Sequence, residues 1–338
     1  MRAFLFRLFA FSLLVLCANY LIGYWLASPK REAVRNRQYF EILRWDDFYK
    51  QPPQSIDMLI VGSSHAYRSI NPQILDTQLG LKTFNLGSSG QSMITAYFSL
   101  REAFQTQDPK YVVLEMYPYA FYNTDQLRNG GYCYDGMHWG PAKRDFLLFG
   151  FSPDDQLSLT LLPARRYRSN WRSMGLSLLR HLSKDSPLEA ESGVLDASRG
   201  EYLPKGYVRN DATVSASDLL AKNHFDGFKF TANGIPDVNL RYFENIVRLC
   251  KENDKKLVLI VAPLPRTTYA KLSGMEEFDR WLAAVASNHD LMCLNDLSGE
   301  SLSLVDTRDF FDHNHLNSSG AAIYSIHLAS ELKKRLHP

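Results

Sequence analysis

The sequence predicts an α/β protein with a parallel sheet, preceded by one membrane-spanning helix. Three observations predict it: short apolar runs that stop at glycine or proline, helical segments between those runs, and a long uncharged run at the N-terminus. The chain has 338 residues, 45% of them hydrophobic, which is enough to bury a large core. We therefore expect one large domain that carries an insertion.

The N-terminal run from Phe4 to Ala27 predicts a transmembrane anchor. Its only charge is Arg7, and Leu8 to Leu26 forms 19 residues without charge or proline, which is long enough to cross a bilayer core of about 30 Å. The run also exceeds the apolar region of a cleaved signal peptide, which is about 7 to 15 residues. A cleaved signal peptide stays the alternative. Basic residues flank the run on both sides, so charge gives no orientation.

Residues 28–54 are expected to form a juxtamembrane linker with a helix. The stretch from Pro29 to Asp47 is charged and aromatic, and Gln51-Pro52-Pro53-Gln54 breaks it. The main domain then covers 55–338. We expect an insertion or cap at about 120–235, because the strand and helix alternation lapses there in a stretch rich in Arg, Ser, Gly and Tyr.

Strands and helices alternate on both sides of that insertion. The predicted strands are Asp57–Val61, Lys82–Leu86, Tyr111–Met116, Lys256–Val261 and Leu291–Leu294. The predicted helices begin at Asn71 and Ser92 and cover Pro236–Glu252, Gly274–Asn288 and Ser318–Leu336. This alternation predicts helices on both faces of a parallel sheet, with the ligand site at the carboxyl ends of the strands.

Charge and cysteine usage exclude several function classes. With 38 basic and 36 acidic side chains the formal net charge is +2, so no global field would hold the protein to nucleic acid. Four cysteines stand far apart without a CxxC pair, which argues against a zinc knuckle or a disulfide framework. Five arginines could meet anionic lipid or polymer, or form a solvated face: Arg165, Arg166, Arg168, Arg172 and Arg180.

Two polar loops could supply nucleophilic chemistry. Gly62-Ser63-Ser64-His65 follows the first strand, which presents a serine hydroxyl at a carboxyl end. Near the C-terminus, Asp312 and His315 stand three residues apart, so the carboxylate could orient the histidine as a base for the serine. Two other interpretations stay open: Asp312 could cap local backbone, and Asp309, His313 and His315 could bind a metal.

A third loop, Asn85 to Ser92, follows the second strand and contains Gly87 and Gly90. Glycines here would let the backbone approach an oxyanion and direct an N–H group at it. An ordinary strand-to-helix turn would have the same composition.

In order and spacing these residues resemble the SGNH (GDSL-like) hydrolases: a Gly-x-Ser after the first strand, a glycine in a second block, and a C-terminal Asp-x-x-His before the last helix. The resemblance covers about 56–90 and 238–338, and implies a three-layer flavodoxin-like fold. It further implies Ser64 as nucleophile, His315 as general base and acid, Asp312 as its orienting carboxylate, and backbone oxyanion donors at Ser64 and Gly90. It requires no cofactor and no metal.

The chain departs from the family pattern in two blocks. The usual Gly-Asp-Ser is Gly62-Ser63-Ser64, and the third block, normally Gly-x-Asn-Asp, reads Tyr117-Pro118-Tyr119-Ala120, without an oxyanion asparagine. Loss of one oxyanion donor typically lowers the rate about 100- to 1,000-fold. With the N-terminal anchor, these departures resemble the branch that contains the teichoic-acid D-alanylation protein DltD and the alginate acetylation proteins.

That resemblance implies a single-pass protein of the cytoplasmic membrane with an extracytoplasmic domain. The implied activity is acyl transfer to a hydroxyl of a cell-envelope polysaccharide or polymer, with a membrane-bound O-acyltransferase as a partner. His65, Asn85 and Tyr119 are expected to contact substrate. Two alternatives are a membrane-anchored esterase or deacetylase that uses water as acceptor, and an inert binding or assembly partner.

Overall fold

The computed structural model describes residues 1–27, 40–168, 171, 200–223 and 225–336. The chain divides into two units. The first, here the sheet unit, comprises Phe40–Phe146 and Gly200–Pro338. The second, here the N-terminal unit, comprises Met1–Tyr39 and Leu147–Arg199.

Seven strands form two sheets within the sheet unit. In chain order they are β1 (Met58–Val61), β2 (Thr83–Asn85), β3 (Tyr111–Glu115), β4 (Glu201–Leu203), β5 (Tyr207–Arg209), β6 (Lys256–Val261) and β7 (Met292–Asn295). Five of them make a parallel sheet in the order β2-β1-β3-β6-β7, and β4 and β5 make a separate antiparallel pair. The parallel order changes direction at β1 and β3, and this switch point is where ligands bind in open sheets of this kind.

The α-helices of the described residues belong to both units. In chain order they are α1 (Arg2–Leu26), α2 (Phe40–Tyr49), α3 (Ser64–Ser69), α4 (Pro72–Leu79), α5 (Met93–Ala103), α6 (Gln126–Gly136), α7 (Pro141–Asp145), α8 (Pro153–Thr160), α9 (Pro163–Arg166), α10 (Ala216–Leu220), α11 (Asp237–Glu252), α12 (Arg266–Tyr269), α13 (Met275–His289), α14 (Asp306–Asp309) and α15 (Ser318–Leu336). Short 3₁₀ turns occur at Pro118–Tyr122, Pro204–Gly206 and Ala232–Gly234, and a π turn at Phe146–Gly150.

Helices cover both faces of the parallel sheet. On one face α4 and α15 pack together, and on the other α5 packs against α11. Side chains alternate between faces along a strand, so Met58 and Ile60 share a core with Tyr324 and Leu328 of α15. The predicted α/β class, with a three-layer arrangement in flavodoxin-like strand order and one N-terminal apolar helix, is confirmed.

Local capping residues explain why the predicted helices begin and end where they do. The Asn71 side chain accepts the N–H of Gln73 at the start of α4, and Gly80 ends that helix in the left-handed conformation, with φ of 68°. The Ser92 side chain accepts the N–H of Thr95 and so caps α5. These contacts depend on residues close in sequence, which is why the sequence could predict them.

The two units divide the chain within the predicted juxtamembrane segment and within the predicted insertion. Residues 28–39 lie outside the described residues, but α2 is part of the sheet unit, with Trp45 and Phe48 buried. The predicted insertion covers 120–235. Its 147–199 portion groups with the N-terminal unit, and its two flanks belong to the sheet unit. These groupings depend on packing between distant segments, which periodicity does not report.

The N-terminal unit contains a helix that is long and apolar enough to cross a membrane. This helix, α1, has 25 residues, and most of its large apolar side chains are exposed. At about 1.5 Å rise per residue it extends over about 37 Å, compared with a bilayer core of about 30 Å. The second segment of this unit contributes α8 and α9.

Candidate active site

Ser64, Asp312 and His315 form a continuous hydrogen-bonded row at the carboxyl edge of the sheet. Ser64 begins α3 directly after β1, and its Oγ lies 2.7 Å from Nε2 of His315. Nδ1 of His315 lies 2.9 Å from Oδ2 of Asp312. Asp312 thereby favours the tautomer whose Nε2 can accept the proton of the Ser64 hydroxyl.

The Asp312 carboxylate both caps the local backbone and orients the His315 ring, two roles that the sequence left open. Its Oδ1 accepts the N–H groups of Asn314 and His315, each at 2.7 Å, which caps the loop. Its Oδ2 holds the imidazole. Burial opposes ionisation, but the His315 ring and the two N–H donors outweigh it, so the pKa of Asp312 lies below its usual range.

Glu115 fixes the turn that presents the serine. Its Oε2 accepts the N–H of Ser63 at 3.1 Å and the Ser63 hydroxyl at 2.8 Å, across the switch point between β1 and β3. Ser63 Oγ accepts the N–H of His65 and so caps α3. Gly62 is required because its φ is +147° and an added Cβ would lie 2.5 Å from Cβ of Glu115. Burial raises the pKa of Glu115 to about 7, although hydrogen bonds from Ser63 and Tyr117 lower it in part.

A second histidine lies behind the first and is fully buried. Nε2 of His65 lies 2.8 Å from Oδ1 of Asn314, which also accepts the Tyr117 hydroxyl at 3.2 Å. The His65 ring packs on Tyr117, with centroids 3.8 Å apart. Burial and the nearby His315 ring lower the pKa of His65 to about 3, so this ring is neutral at ordinary pH.

The loop after β2 brings Gly90 to the same edge. Gly90 has φ of +58°, and its carbonyl accepts the side-chain amide of Asn123 at 2.6 Å. Gln91 ties this loop to the serine turn, because its Oε1 accepts the N–H of Gly62 at 2.7 Å. Ser64 is the first residue of α3, so its N–H has no acceptor within the helix.

A cleft of about 680 Å³ opens in front of this row. Ser64 and Gly90 lie in its wall, and so do Tyr119, Tyr122 and Phe228, whose rings form a connected group with centroids 5.3 Å and 5.7 Å apart. Tyr119 keeps 41% of its surface exposed. The cleft also contains three charged residues: Asp125, Arg128 and Lys229.

The three predicted substrate contacts have different positions. Tyr119 lines the cleft. Asn85 is fully buried, where its amide donates to the carbonyl of Ala66 at 2.9 Å and its oxygen accepts the N–H of Gly87 at 3.0 Å. His65 is also fully buried. Among the described residues that line the cleft, neither His65 nor Asn85 is present.

Sequence reasoning singled out neither Glu115 nor Asn314. A carboxylate at the end of an otherwise apolar, fully buried strand was the available signal for Glu115. Asn314 stands between Asp312 and His315 in the sequence, where its side chain can reach His65. Nothing in its spacing distinguishes that contact from an ordinary loop asparagine.

Within the described ranges, no group of three or more His, Cys, Asp or Glu side chains is arranged to hold a metal ion. Asp309, one of the residues considered for such a site, is buried and accepts hydrogen bonds from Arg308 and Ser319.

Comparison with known proteins gives little beyond this geometry. No protein-family model and no curated protein matches the chain. Among solved structures, a crystal structure from Bacteroides fragilis, described as a candidate acylhydrolase, is 12% identical, with a TM-score of 0.38 over 86% of this chain and 94% of that chain. A likeness at that level supports no assignment of function, which therefore depends on the residues of the site themselves.

Proposed function

We propose that this chain is a membrane-anchored serine acyltransferase that moves an acyl group through Ser64 to a hydroxyl of a cell-envelope polysaccharide or polymer. The observation that carries the proposal is the hydrogen-bonded row of Ser64, His315 and Asp312, whose Ser64 lines an open cleft. A serine hydroxyl is a weak nucleophile until an oriented base removes its proton, and this row supplies that base.

The proposed reaction has two half-reactions. In the first, His315 takes the Ser64 proton while Oγ attacks the donor carbonyl, and the Ser64 and Gly90 N–H groups stabilise the oxyanion. The protonated His315 then donates its proton to the departing group, which leaves an ester on Ser64. In the second, His315 removes the proton of the acceptor hydroxyl, that oxygen attacks the ester, and the returned proton restores Ser64.

The aromatic residues of the cleft support a sugar as acceptor. Tyr119, Tyr122 and Phe228 present ring surface beside the nucleophile, and flat rings of this kind pack on the apolar faces of sugars. The sequence resemblance to the envelope-modifying SGNH branch supports the same substrate class. It also supports an extracytoplasmic site and a membrane-bound O-acyltransferase as donor partner.

Retention of α1 as an anchor has structural support of its own. Gly23, near the end of the helix, lies so close to α9 that an added Cβ would be 2.6 Å from the Ala164 nitrogen. A cleaved signal peptide has no need for such a fit to the mature chain. We therefore propose a single-pass protein.

The first test is labelling of the full chain with a fluorophosphonate probe, read by intact mass and peptide mapping. One adduct on Ser64 is expected, and it should be lost in Ser64→Ala. Ser217→Ala, on an exposed helix of the sheet unit, is the matched control. A folded wild-type protein without an adduct would contradict an activated Ser64 and favour the inert assembly partner.

A second measurement separates transfer from hydrolysis. The enzyme is given p-nitrophenyl acetate as donor, with a cello-oligosaccharide or an oligogalacturonate as acceptor. Acetylated oligosaccharide would support the transferase. Free acetate alone, at a rate that neither acceptor changes, would indicate the esterase instead.

A further inference from the structure

The end of α1 packs against the second segment of its own unit. The Ala164 N–H faces Oδ1 of Asn19 at 3.5 Å, and the Tyr20 hydroxyl donates to the carbonyl of Thr160. Gly23 lets the two backbones approach, because an added Cβ would also lie 2.7 Å from Pro163. These contacts place α8 and α9 beside the last two turns of α1.

The same segment exposes large apolar side chains. Phe149 is 68% exposed, and Leu157 and Leu161, one helical turn apart, are 43% and 48% exposed. Trp171 is also exposed, and its ring lies edge-on to Trp25 of α1, with centroids 5.8 Å apart. Several large apolar side chains exposed within one short segment indicate an interaction surface.

We propose that the segment from Leu147 to Arg166 lies in the membrane interface, with Phe149, Leu157 and Leu161 inserted among the lipid acyl chains. This inference rests on the proposed anchoring by α1. It goes beyond the anchoring because it adds a second contact with the bilayer, made by residues from the middle of the chain.

The depth of the contact identifies lipid as the occupant. Residues 19–23 lie within about 11 Å of the end of α1 at about 1.5 Å per residue, which is the level where a spanning helix passes from acyl chains to headgroups. α8 and α9, which pack beside those turns, therefore lie at the same depth. Tryptophan and arginine are common at this boundary, and this segment has Trp171 near it and an Arg165–Asp154 ion pair on it.

Photo-crosslinking to lipid tests the inference. The full chain, in nanodiscs of phosphatidylcholine and phosphatidylglycerol, carries 4-benzoylphenylalanine at one of four positions. Leu14 reports the middle of α1, Leu157 and Leu161 report the proposed surface, and Ser217 is the control in the sheet unit. We expect a mass increase of one phospholipid at the first three positions and none at Ser217.

The outcomes separate this inference from the anchoring. Lipid adducts at Leu14 without adducts at Leu157 and Leu161 would overturn the interfacial segment and leave the anchor intact. Absence of an adduct at Leu14 would overturn the anchor itself, and the inference with it. Adducts at Ser217 equal to those at Leu157 would also overturn it, because the reaction would not depend on position.

A different observation concerns the oxyanion side of the cleft. The carboxamide of Asn129, on α6, lies over Gly90, where an added Cβ would be 2.9 to 3.1 Å from its atoms. Asn129 lines the same cleft as Ser64. Within the described part of the chain, its carboxamide makes no hydrogen bond, whereas Asn123 is occupied in holding the Gly90 carbonyl.

The geometry points to Asn129 as the side-chain donor of the oxyanion hole. An amide N–H beside Gly90 can join the two backbone donors and stabilise the charge that develops on the attacked carbonyl oxygen. This assignment rests on the proposed serine chemistry. It places the donor on a helix of the insertion, because Tyr117-Pro118-Tyr119-Ala120 after β3 has no asparagine and the next one, Asn123, holds the Gly90 carbonyl.

Hydrolysis of p-nitrophenyl acetate tests the assignment. In Asn129→Ala we expect kcat to fall about 100-fold or more with little change in KM, because the contact forms in the transition state. Asn129→Asp keeps the shape but replaces the donor with an acceptor, and should lose at least as much. Asn288→Ala, an exposed asparagine on α13, is the control.

Two results would overturn the Asn129 assignment. One is wild-type kcat in both Asn129 variants. The other is a fall that Asn129→Asp restores, which would indicate a packing role. Wild-type protein without Ser64 labelling would instead contradict the proposed function.

Discussion

Two histidines at the candidate active site lie with ring centroids 5.0 Å apart, yet they differ in exposure and in hydrogen-bond partners. His315 is partly exposed and stands between a carboxylate and a serine hydroxyl. His65 is fully buried and faces a carboxamide and a buried serine. The Asp312 carboxylate contacts the His315 ring directly, whereas burial and the His315 ring lower the pKa of His65 more than Asn314 and the more distant Asp312 raise it.

The comparison shows that the same residue type has two different surroundings within one site. His65 follows Ser64 directly in the sequence, and its buried ring contacts the side chain of Asn314. His315 comes from a loop 251 residues further along the chain than Ser64 and contacts the Ser64 hydroxyl. Distance along the chain is a poor guide to which polar side chain faces a cleft.

The largest expected effect comes from removal of the base. In His315→Gln the rate of fluorophosphonate labelling at Ser64 should fall about 10⁴- to 10⁶-fold, as when the base of a serine enzyme is removed. His289→Gln, on the partly exposed end of α13, should label at the wild-type rate. Labelling at near wild-type rate in His315→Gln would mean that another group activates Ser64, and the contrast between the two rings would fail.

The next effect tests the partner of that base. Asp312→Asn keeps the shape of the side chain but removes its charge, and the amide can favour the wrong tautomer of His315. We expect a loss of about 10⁴-fold in labelling rate. The measurement is the second-order rate constant for the probe at pH 8. A loss below tenfold would show that Asp312 serves mainly to cap the loop through its Oδ1.

Much of this framework was predictable, because its signals are local. Asn71-Pro72 and Gly80 limit α4, Ser92 caps α5, and an unbroken apolar run gives β6. The order of Ser64, Asp312 and His315 also indicated that these three side chains meet, since a resemblance in motif order carries spatial information that no single motif contains.

The remaining features depend on contacts that a single sequence does not display. Glu115 lies in a strand that reads as apolar, and only the fold shows that its carboxylate meets Ser63 across the switch point. Asn129 reaches Gly90 because α6 packs beside the loop after β2. Pro163 and Ala164 of α9 pack closely on Gly23 of α1, and glycine is frequent in membrane-spanning helices in any case, so the residue type alone does not report this contact.

A smaller effect concerns the pH dependence of stability. The pKa of Glu115 is raised from 4.5 to about 7. Between these two pH values the folded state therefore holds a proton on Glu115 that the unfolded state has released. Its contribution to stability is complete below about pH 4.5 and is lost as pH rises through about 7, by about 3 kcal/mol in total. Glu115→Gln, which mimics the protonated form, should remove this loss, so the variant unfolds at a higher temperature than wild type at pH 8.

The Glu115 measurement is the thermal midpoint at pH 5 and pH 8 in the same detergent. Glu331→Gln, at an exposed ion pair on α15, is the control for a general charge effect. If Glu115→Gln is less stable than wild type at both pH values, the carboxylate is charged in the fold and the proposed proton is absent.

The smallest expected effect belongs to His65. In His65→Phe the ring still packs on Tyr117, but Asn314 loses a hydrogen bond, which should lower the free energy of unfolding by about 1 to 3 kcal/mol. The pKa of His65 is lowered from 6.5 to about 3, so its stabilisation is present above about pH 6.5 and is lost as pH falls toward 3. As the pH is lowered, the free energy of unfolding of His65→Phe should therefore fall less than that of wild type. The Glu115 effect has the opposite sign, because it lowers stability as the pH rises.

Labelling at Ser64 in His65→Phe should fall less than about tenfold, because the ring carries no proton of the reaction. A folded His65→Phe that no longer labels would place this ring in the reactive row, and the two histidines would have to be treated as one coupled pair.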